Sequence, residues 1–249
     1  MNVPKICIAV PITSLSIYEN KELLSEAVSH DPDFIELRFD YLDTTNGISS
    51  DFIHSLLDFS SIPMICTFRK FSEGGNADIS ETQRISILNE IIKAKPHFID
   101  IEMDNSIGIL EDIISKANKN NIAIIFSHHN FTDTPTSEEM YNIIQSFRSK
   151  LKTITSFKSS FSISHSFVWK LIFTAIQFED NLEVLKFCRN IADNKGKIIS
   201  FCMGELGIFS RLLSALCGGF FTFGSLVAQT APGQINIELM REFYKLLQE

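Results

Sequence analysis

The chain has 249 residues, 45% of them hydrophobic, which is enough for one large domain with a full core. Its formal net charge of −8, from 22 basic and 30 acidic residues, argues against nucleic acid or an anionic membrane surface as a partner. No run approaches about 18 uninterrupted apolar residues and no N-terminal signal pattern is present, so we expect a cytoplasmic protein without a membrane span.

Eight short apolar runs have the length and the β-branched or aromatic character of buried strands. In chain order they are residues 5–10, 34–40, 63–69, 98–104, 122–129, 167–175, 197–203 and 219–226. Segments with helical spacing follow them, at residues 19–30, 51–58, 80–94, 106–119, 137–151, 180–193, 205–217 and 234–248. Strict alternation of strand and helix predicts a parallel sheet, and eight repeats predict a single (β/α)8 TIM barrel, one domain over residues 1–249. No GxGxxG sequence follows the first strand, which disfavours a dinucleotide-binding sheet.

Charged residues recur within two of these strands at every second position, and side chains two apart share one face of a strand. They are Glu36, Arg38 and Asp40 in the second strand and Asp100, Glu102 and Asp104 in the fourth. The apolar outer face of a barrel packs on helices, so these charged faces are predicted to point inward. Structural ion pairing is the alternative, but polar groups near the carboxyl ends of barrel strands are typical of an active site.

Lys170 interrupts the otherwise apolar sixth strand, and the same alternation places it on the inward face. A buried lysine amine that loses its proton near neutral pH is a nucleophile that can form a Schiff base with a ketone. The structural alternative is a lysine at a strand end that reaches solvent or pairs with a carboxylate. The inward charges on other strands favour the reactive amine.

Two adjacent histidines close the fifth strand, where a histidine can act as a general base near neutral pH. Neighbouring side chains on a strand point to opposite faces, so only one of His128 and His129 enters the barrel, and the sequence leaves the choice open. Glu73, in the glycine-containing loop after the third strand, can reach back to orient that histidine. A solvated loop glutamate is the alternative.

Metal binding is the competing interpretation of these histidines and carboxylates. The sequence has no HxH or HExxH spacing, and an inward lysine would repel a cation, so we expect no metal. The five cysteines also lack zinc spacing, and we expect them to be buried, reduced thiols.

Three further candidates lie at or after strand ends. Arg69 ends the third strand, and Arg211 lies near the start of the helix after the seventh, where it suits a bidentate contact with a carboxylate. Residues 230–234, with the sequence Thr-Ala-Pro-Gly-Gln, form a predicted turn after the eighth strand. That turn is at the top of the barrel, where a lid would lie.

Taken in order along essentially the whole chain, these motifs resemble those of the type I 3-dehydroquinate dehydratases, Schiff-base enzymes of the shikimate pathway. They are Glu36-Leu37-Arg38-Phe39-Asp40, Thr67-Phe68-Arg69 with Glu73-Gly74-Gly75, Asp100-Ile101-Glu102, Ser127-His128-His129-Asn130-Phe131 with Thr134-Pro135, Lys170, Met203-Gly204 through Ser210-Arg211, and Ala231-Pro232-Gly233-Gln234. The resemblance implies a TIM barrel that needs no cofactor and no metal. It also implies that Lys170 condenses with the C3 ketone of 3-dehydroquinate, while His129 moves a C2 proton and then protonates the leaving hydroxyl. We expect a homodimer.

The resemblance implies roles for the remaining candidates. Glu73 orients His129, Arg211 and Gln234 hold the substrate carboxylate, and the substrate hydroxyls meet Glu36, Arg38 and Arg69. Thr230 stands where the family usually has a lid serine, and its hydroxyl can make the same contact. The stretch from His129 to Lys170 is 41 residues (170 − 129), longer than is usual for the family, so Lys158 is the alternative Schiff-base lysine.

Two other functions stay open from the residues alone. A class I aldolase acting on a sugar phosphate would also use an inward lysine, but it calls for a phosphate site after the seventh and eighth strands. The arginine and the Pro-Gly-Gln turn in that region favour a carboxylate instead. A barrel that binds a polyol carboxylate without catalysis would not require the lysine or the histidine.

Overall fold

The computed structural model describes residues 3–154, 167–226 and 233–247, and its eight strands form one parallel sheet. The strands are β1 (Ile6–Pro11), β2 (Phe34–Arg38), β3 (Met64–Thr67), β4 (Phe98–Glu102), β5 (Ala123–His129), β6 (Phe167–Thr174), β7 (Ile198–Met203) and β8 (Thr222–Gly224). Their order in the sheet is β7-β6-β5-β4-β3-β2-β1-β8, and β8 pairs with β1. At the other edge, the Phe220 amide donates to the Ile198 carbonyl at 2.7 Å. The sheet is therefore a nearly closed barrel.

Eight helices in the described part of the chain alternate with these strands. They are α1 (Ile17–Ser29), α2 (Ser50–Leu57), α3 (Glu81–Ala94), α4 (Ile107–Lys119), α5 (Ser137–Lys152), α6 (Asp180–Asp193), α7 (Ile208–Leu213) and α8 (Ile237–Leu246). Reciprocal capping boxes begin α3, at Ser80 and Gln83, and α5, at Thr136 and Glu139. Among these helices, none is long and apolar enough to cross a membrane. The predicted (β/α)8 TIM barrel is confirmed, while the extent of one domain over residues 1–249 stays a prediction.

The core has two layers that follow the alternation of side chains along the strands. On β6, Trp169 and Leu171 pack between the sheet and the helices, whereas Val168 and Ile172 pack inside the barrel. Lys170 shares the parity of the second pair and points inward with it. Four of the five cysteines are buried and Cys217 is half-buried.

Several strands are shorter than predicted. β2 and β4 each end two residues early, and the chain then turns, so Asp40 lies in the 3-10 turn Phe39–Tyr41 and stays buried. Asp104 is half exposed and accepts a hydrogen bond from Lys70 at 2.9 Å. The prediction that Asp104 points into the barrel is wrong, because the alternation of the strand stops before it.

Candidate active site

The inner face of β6 brings the amine of Lys170 into a pocket at the carboxyl-terminal end of the barrel. Its Nζ lies 2.9 Å from Asp100 Oδ2 and 3.2 Å from Glu36 Oε1, and 4.9 Å from the centre of the Phe223 ring. Only 5% of the lysine is exposed. The amine is therefore shielded from water and donates hydrogen bonds to two carboxylates.

His129 ends β5 and is held by Glu73 from the 3-10 turn Phe71–Glu73. Glu73 Oε2 accepts the backbone N–H of His129 at 3.0 Å and lies 2.9 Å from its Nδ1. The turn ends at Gly74 with φ +82°, a conformation that favours glycine. When Glu73 is ionised its Oε2 can only accept, so the proton of neutral His129 lies on Nδ1 and Nε2 keeps a free lone pair.

Burial shifts the pKa values of His129 and Glu73 in opposite directions. It lowers the pKa of His129 well below the ordinary value, and the nearby positive charges of Arg69 and Lys170 lower it further. It raises the pKa of Glu73 to about 8, although the positive charge of Arg69 opposes that change. His129 is therefore neutral at neutral pH, which is the form that can accept a proton.

Arg69 follows β3 and crosses the bottom of the pocket to neighbouring strands. Its Nη1 donates to Glu102 Oε1 at 2.9 Å and to Ser127 Oγ at 2.7 Å, and its Nη2 donates to Asp100 Oδ2 at 2.9 Å. Burial alone would lower the pKa of Arg69, but the Asp100 and Glu102 carboxylates reverse this and raise it. Burial would likewise raise the pKa of Asp100, yet Arg69 and Lys170 hold it at about 2. Both groups therefore stay charged.

Arg38, at the end of β2, makes a forked ion pair with Asp40. Its Nε and Nη2 donate to the two carboxylate oxygens at 2.8 Å each, and its guanidinium lies 5.1 Å from the centre of the Tyr41 ring. Asp40 also accepts the backbone N–H groups of Arg69 and Asn76 at 3.3 and 3.1 Å. The guanidinium is thus fixed at the pocket wall.

Arg211, in α7, differs from these arginines because no carboxylate within the described ranges lies at ion-pair distance from it. It is 3% exposed, its Nε has no hydrogen-bond partner, and its guanidinium lies 4.3 Å from the centre of the Phe201 ring. Burial lowers the pKa of Arg211 to about 10, so it remains charged at neutral pH. A buried, unpaired guanidinium in a pocket is suited to an anionic ligand.

One pocket of about 680 Å³, including its open mouth, contains every predicted site residue that the structure describes. These are Glu36, Arg38, Arg69, Glu73, His129, Lys170, Arg211 and Gln234. Thr230 and the alternative Lys158 lie outside the described residues. Within the described ranges, no cluster of three or more histidine, cysteine or acidic side chains is arranged to hold a metal ion.

His128 points away from this pocket. It lines a separate outer groove with Asp104 and Lys150, and its ring lies 6.2 Å from that of Phe173. The structure therefore places His129, and not His128, beside the lysine.

The sequence reasoning gave no site role to several other pocket residues, among them Tyr41, Phe131 and Met203. Phe131 stacks on His129 with 6.4 Å between ring centres and 22° between planes. Phe131 and Met203 belong to motifs that were recognised and Tyr41 follows one, so their position in or beside a motif is the signal that could have found them.

Comparisons with known proteins agree on one family. A family model described as Type I 3-dehydroquinase matches residues 8–249. A protein named 3-dehydroquinate dehydratase from Dehalococcoides mccartyi is 31% identical over 247 residues, 98% of this chain and 96% of that one. Another of that name, from Thermococcus onnurineus, is 26% identical over 231 residues, 92% of this chain and 95% of that one.

The fold agrees as well. The solved 3-dehydroquinate dehydratase structure from Geobacillus kaustophilus superposes with a TM-score of 0.82 at 21% identity, covering 99% of this chain and 92% of that one. The family match extends over nearly the whole chain, and it confirms the resemblance seen in the motifs. The chain belongs to the type I 3-dehydroquinase family of hydro-lyases.

Proposed function

We propose that this protein eliminates water from 3-dehydroquinate to give 3-dehydroshikimate through a Schiff base on Lys170. The observation that carries the proposal is the pocket itself. It combines a buried amine between two carboxylates, a neutral histidine held by Glu73, and the unpaired Arg211. Together these supply a nucleophile, a general base and an anion-binding group.

Substrate binding is assigned to the positive and polar groups of the pocket wall. Arg211, with Gln234 nearby in the same pocket, binds the substrate carboxylate, because no described carboxylate lies at ion-pair distance from this buried cation. Glu36, Arg38 and Arg69 contact the ring hydroxyls. Thr230 adds a hydroxyl from the segment after β8.

Imine formation begins when Lys170 gives its proton to Glu36, whose Oε1 contacts Nζ, while Asp100 stays ionised. The neutral amine attacks the C3 carbonyl carbon, and the carbonyl oxygen leaves as water after it has taken up two protons. The product is a protonated imine, which carries the positive charge next to C2. That charge makes the C2 proton acidic and provides the electron sink for its removal.

Elimination then uses His129. Its Nε2 takes a proton from C2, and the C–H electron pair moves toward the iminium nitrogen to give an enamine. The enamine expels the hydroxyl on C1, which receives that proton from His129 and leaves as water. A water molecule hydrolyses the resulting iminium, which releases 3-dehydroshikimate and restores the amine of Lys170.

A class I aldolase remains the alternative, but its phosphate substrate fits this pocket less well. Among the described residues, the polar groups near β7 and β8 that line the pocket are the guanidinium of Arg211, on the Phe201 ring, and the amide of Gln234, a set that suits a single carboxylate. We further propose that the reaction serves the shikimate pathway, that it needs no cofactor, and that the enzyme is a cytoplasmic homodimer.

Trapping with borohydride tests the Schiff base directly. Incubation with 3-dehydroquinate and borohydride is expected to reduce the imine to a stable amine, with one substrate skeleton attached at Lys170 by peptide mapping. In parallel, addition of 3-dehydroquinate alone should produce the ultraviolet absorbance of a conjugated enone. Lys170→Met should abolish both signals, whereas Lys150→Met, which removes a lysine that lines the outer groove, should preserve them.

The possible outcomes separate the alternatives. An adduct on Lys158 would refute the assignment of Lys170. Product formation without any trapped adduct would reject the Schiff base. Absence of both signals in the wild-type protein would reject the dehydratase function itself.

A further inference from the structure

A chain of alternating charges runs from the amine of Lys170 out of the pocket to helix α3. It passes through Asp100, Arg69 and Glu102 and reaches Arg84, each link being an ion pair of 2.9 to 3.1 Å. Arg84 lines no part of the pocket, yet it is only 3% exposed. Nothing in the proposed reaction uses it, and a buried arginine on a barrel helix is unusual enough to require an explanation.

The guanidinium of Arg84 contacts a surface carboxylate on one side and a carboxylate of the active-site network on the other. Its Nε and Nη2 donate to the two oxygens of Glu81 at 2.8 and 3.0 Å, and its Nη2 also donates to Asn105 Oδ1. Its Nη1 donates to Glu102 Oε2 at 3.1 Å. The contact with Glu81 holds the guanidinium in place on α3, and the contact with Glu102 links it to the active site.

Glu102 uses its two oxygens for different partners. Oε2 binds Arg84, while Oε1 accepts both Arg69 Nη1 and the backbone N–H of Lys70 at 2.9 Å each. Arg84 therefore fixes which oxygen faces Arg69, and its charge offsets part of the attraction that Glu102 exerts on Arg69.

Arg69 and Lys170 compete for one oxygen atom. Arg69 Nη2 and Lys170 Nζ both donate to Asp100 Oδ2, each at 2.9 Å. If Arg69 moves toward Glu102, Asp100 loses its ion pair with Arg69. The negative charge of Asp100 then acts mainly on Lys170 and stabilises its ammonium form. The amine must be neutral to attack a ketone, so this change would oppose imine formation.

We propose that Arg84 is a positioning residue that, by holding Glu102, keeps Arg69 on Asp100 and thereby keeps the Lys170 amine available for reaction. The inference rests on the proposed Schiff-base function. The direct electrostatic effect has the same sign, because removal of a nearby positive charge also favours the ammonium. The titratable or charged groups that face the amine from the surrounding strands are Cys7, Glu36, Arg69, Asp100 and His129.

The test is the pH dependence of imine formation in Arg84→Gln. The pH at which borohydride traps half of the protein should rise by roughly 0.5 to 1 unit, as expected for one missing charge in a partly screened interior. Arg84→Lys keeps the charge but cannot make the forked contacts, so we expect a smaller shift in the same direction. Arg189→Gln removes an exposed arginine on α6 and should leave the profile unchanged.

Each result decides between explanations. A merely structural Arg84 would lower the melting temperature of the variants without moving the pH profile, and that outcome would overturn the inference. If Arg84→Gln does not fold, an unshifted profile in Arg84→Lys overturns it equally. If the wild-type protein forms no adduct at Lys170, the proposed function fails first, whereas a wild-type adduct with unshifted variants rejects only the role of Arg84.

Discussion

Replacement of Arg211 by methionine should weaken substrate binding and yet stabilise the folded protein. Burial lowers the pKa of Arg211 from 12.5 to about 10. At about 1.36 kcal/mol per pKa unit, this fall corresponds to a penalty of about 3 kcal/mol for the charged group in the folded state. The Phe201 ring, 4.3 Å from the guanidinium, offsets about 1 to 2 kcal/mol of that penalty.

The net gain from Arg211→Met is therefore about 1 to 2 kcal/mol, which for a domain of this size raises the melting temperature by about 2 to 8 °C. The size of this stabilisation depends on pH. Below pH about 10 the arginine is charged in both the folded and unfolded states, and the full penalty is present. The penalty is relieved as the pH rises through about 10, so the difference between variant and wild type should shrink there.

Arg211→Met should also weaken substrate binding. Loss of one partner of a buried, hydrogen-bonded charge pair typically costs about 2 to 5 kcal/mol, so KM for 3-dehydroquinate should rise roughly 30-fold to several thousand-fold. Calorimetry and steady-state kinetics on the same preparation measure both effects, with exposed Arg189→Met as the control for loss of charge. A lower melting temperature in Arg211→Met, or an unchanged KM, would refute the view that this arginine is kept unpaired for the substrate.

Two further predictions concern the base and its support. His129→Ala should nearly abolish turnover while adduct formation with Lys170 persists, whereas His128→Ala should retain turnover because that ring lies in the outer groove; the reverse pattern would exchange their roles. Gly74→Ala should lower the melting temperature by roughly 2 to 8 °C, because φ is +82° and a Cβ would lie 2.5 Å from Phe131 Cζ. Gly108→Ala, with open space around its Cβ in α4, should instead stabilise by about 0.5 to 1 kcal/mol in the same scan.

Much of the site followed from one local rule. The period-two alternation along β6 placed Lys170 inside the barrel, and the structure packs Val168 and Ile172 there with it. The rule failed for Asp104 because it holds only while the chain stays extended, and a sequence pattern does not state where a strand ends.

Arg84 illustrates a different limit. Its position on a helix predicts a solvated side chain, but Glu102, 18 residues further along the chain, draws it inward. Such a contact depends on how α3 packs beside β4, which no single-sequence spacing reports. The same applies to the choice between the two histidines. Residue spacing allowed either one, and it is the pairing of His129 with the inward-facing Ile172 of β6, together with the contact to Glu73, that places His129 in the pocket.

The opposite pKa shifts of Glu73 and His129 fit the proposed reaction. Before reaction, burial keeps His129 neutral, so it is available as a base but binds a proton weakly. In the proposed reaction His129 becomes an imidazolium when it takes the C2 proton, and an ionised Glu73 carboxylate 2.9 Å from its Nδ1 stabilises that charge in a buried site. Under this proposal, ionised Glu73 stabilises the protonated histidine more than the neutral one, and that difference lowers the activation free energy of proton removal. Because the pKa of Glu73 is about 8, protonation of this carboxylate below that pH removes the support and weakens the base.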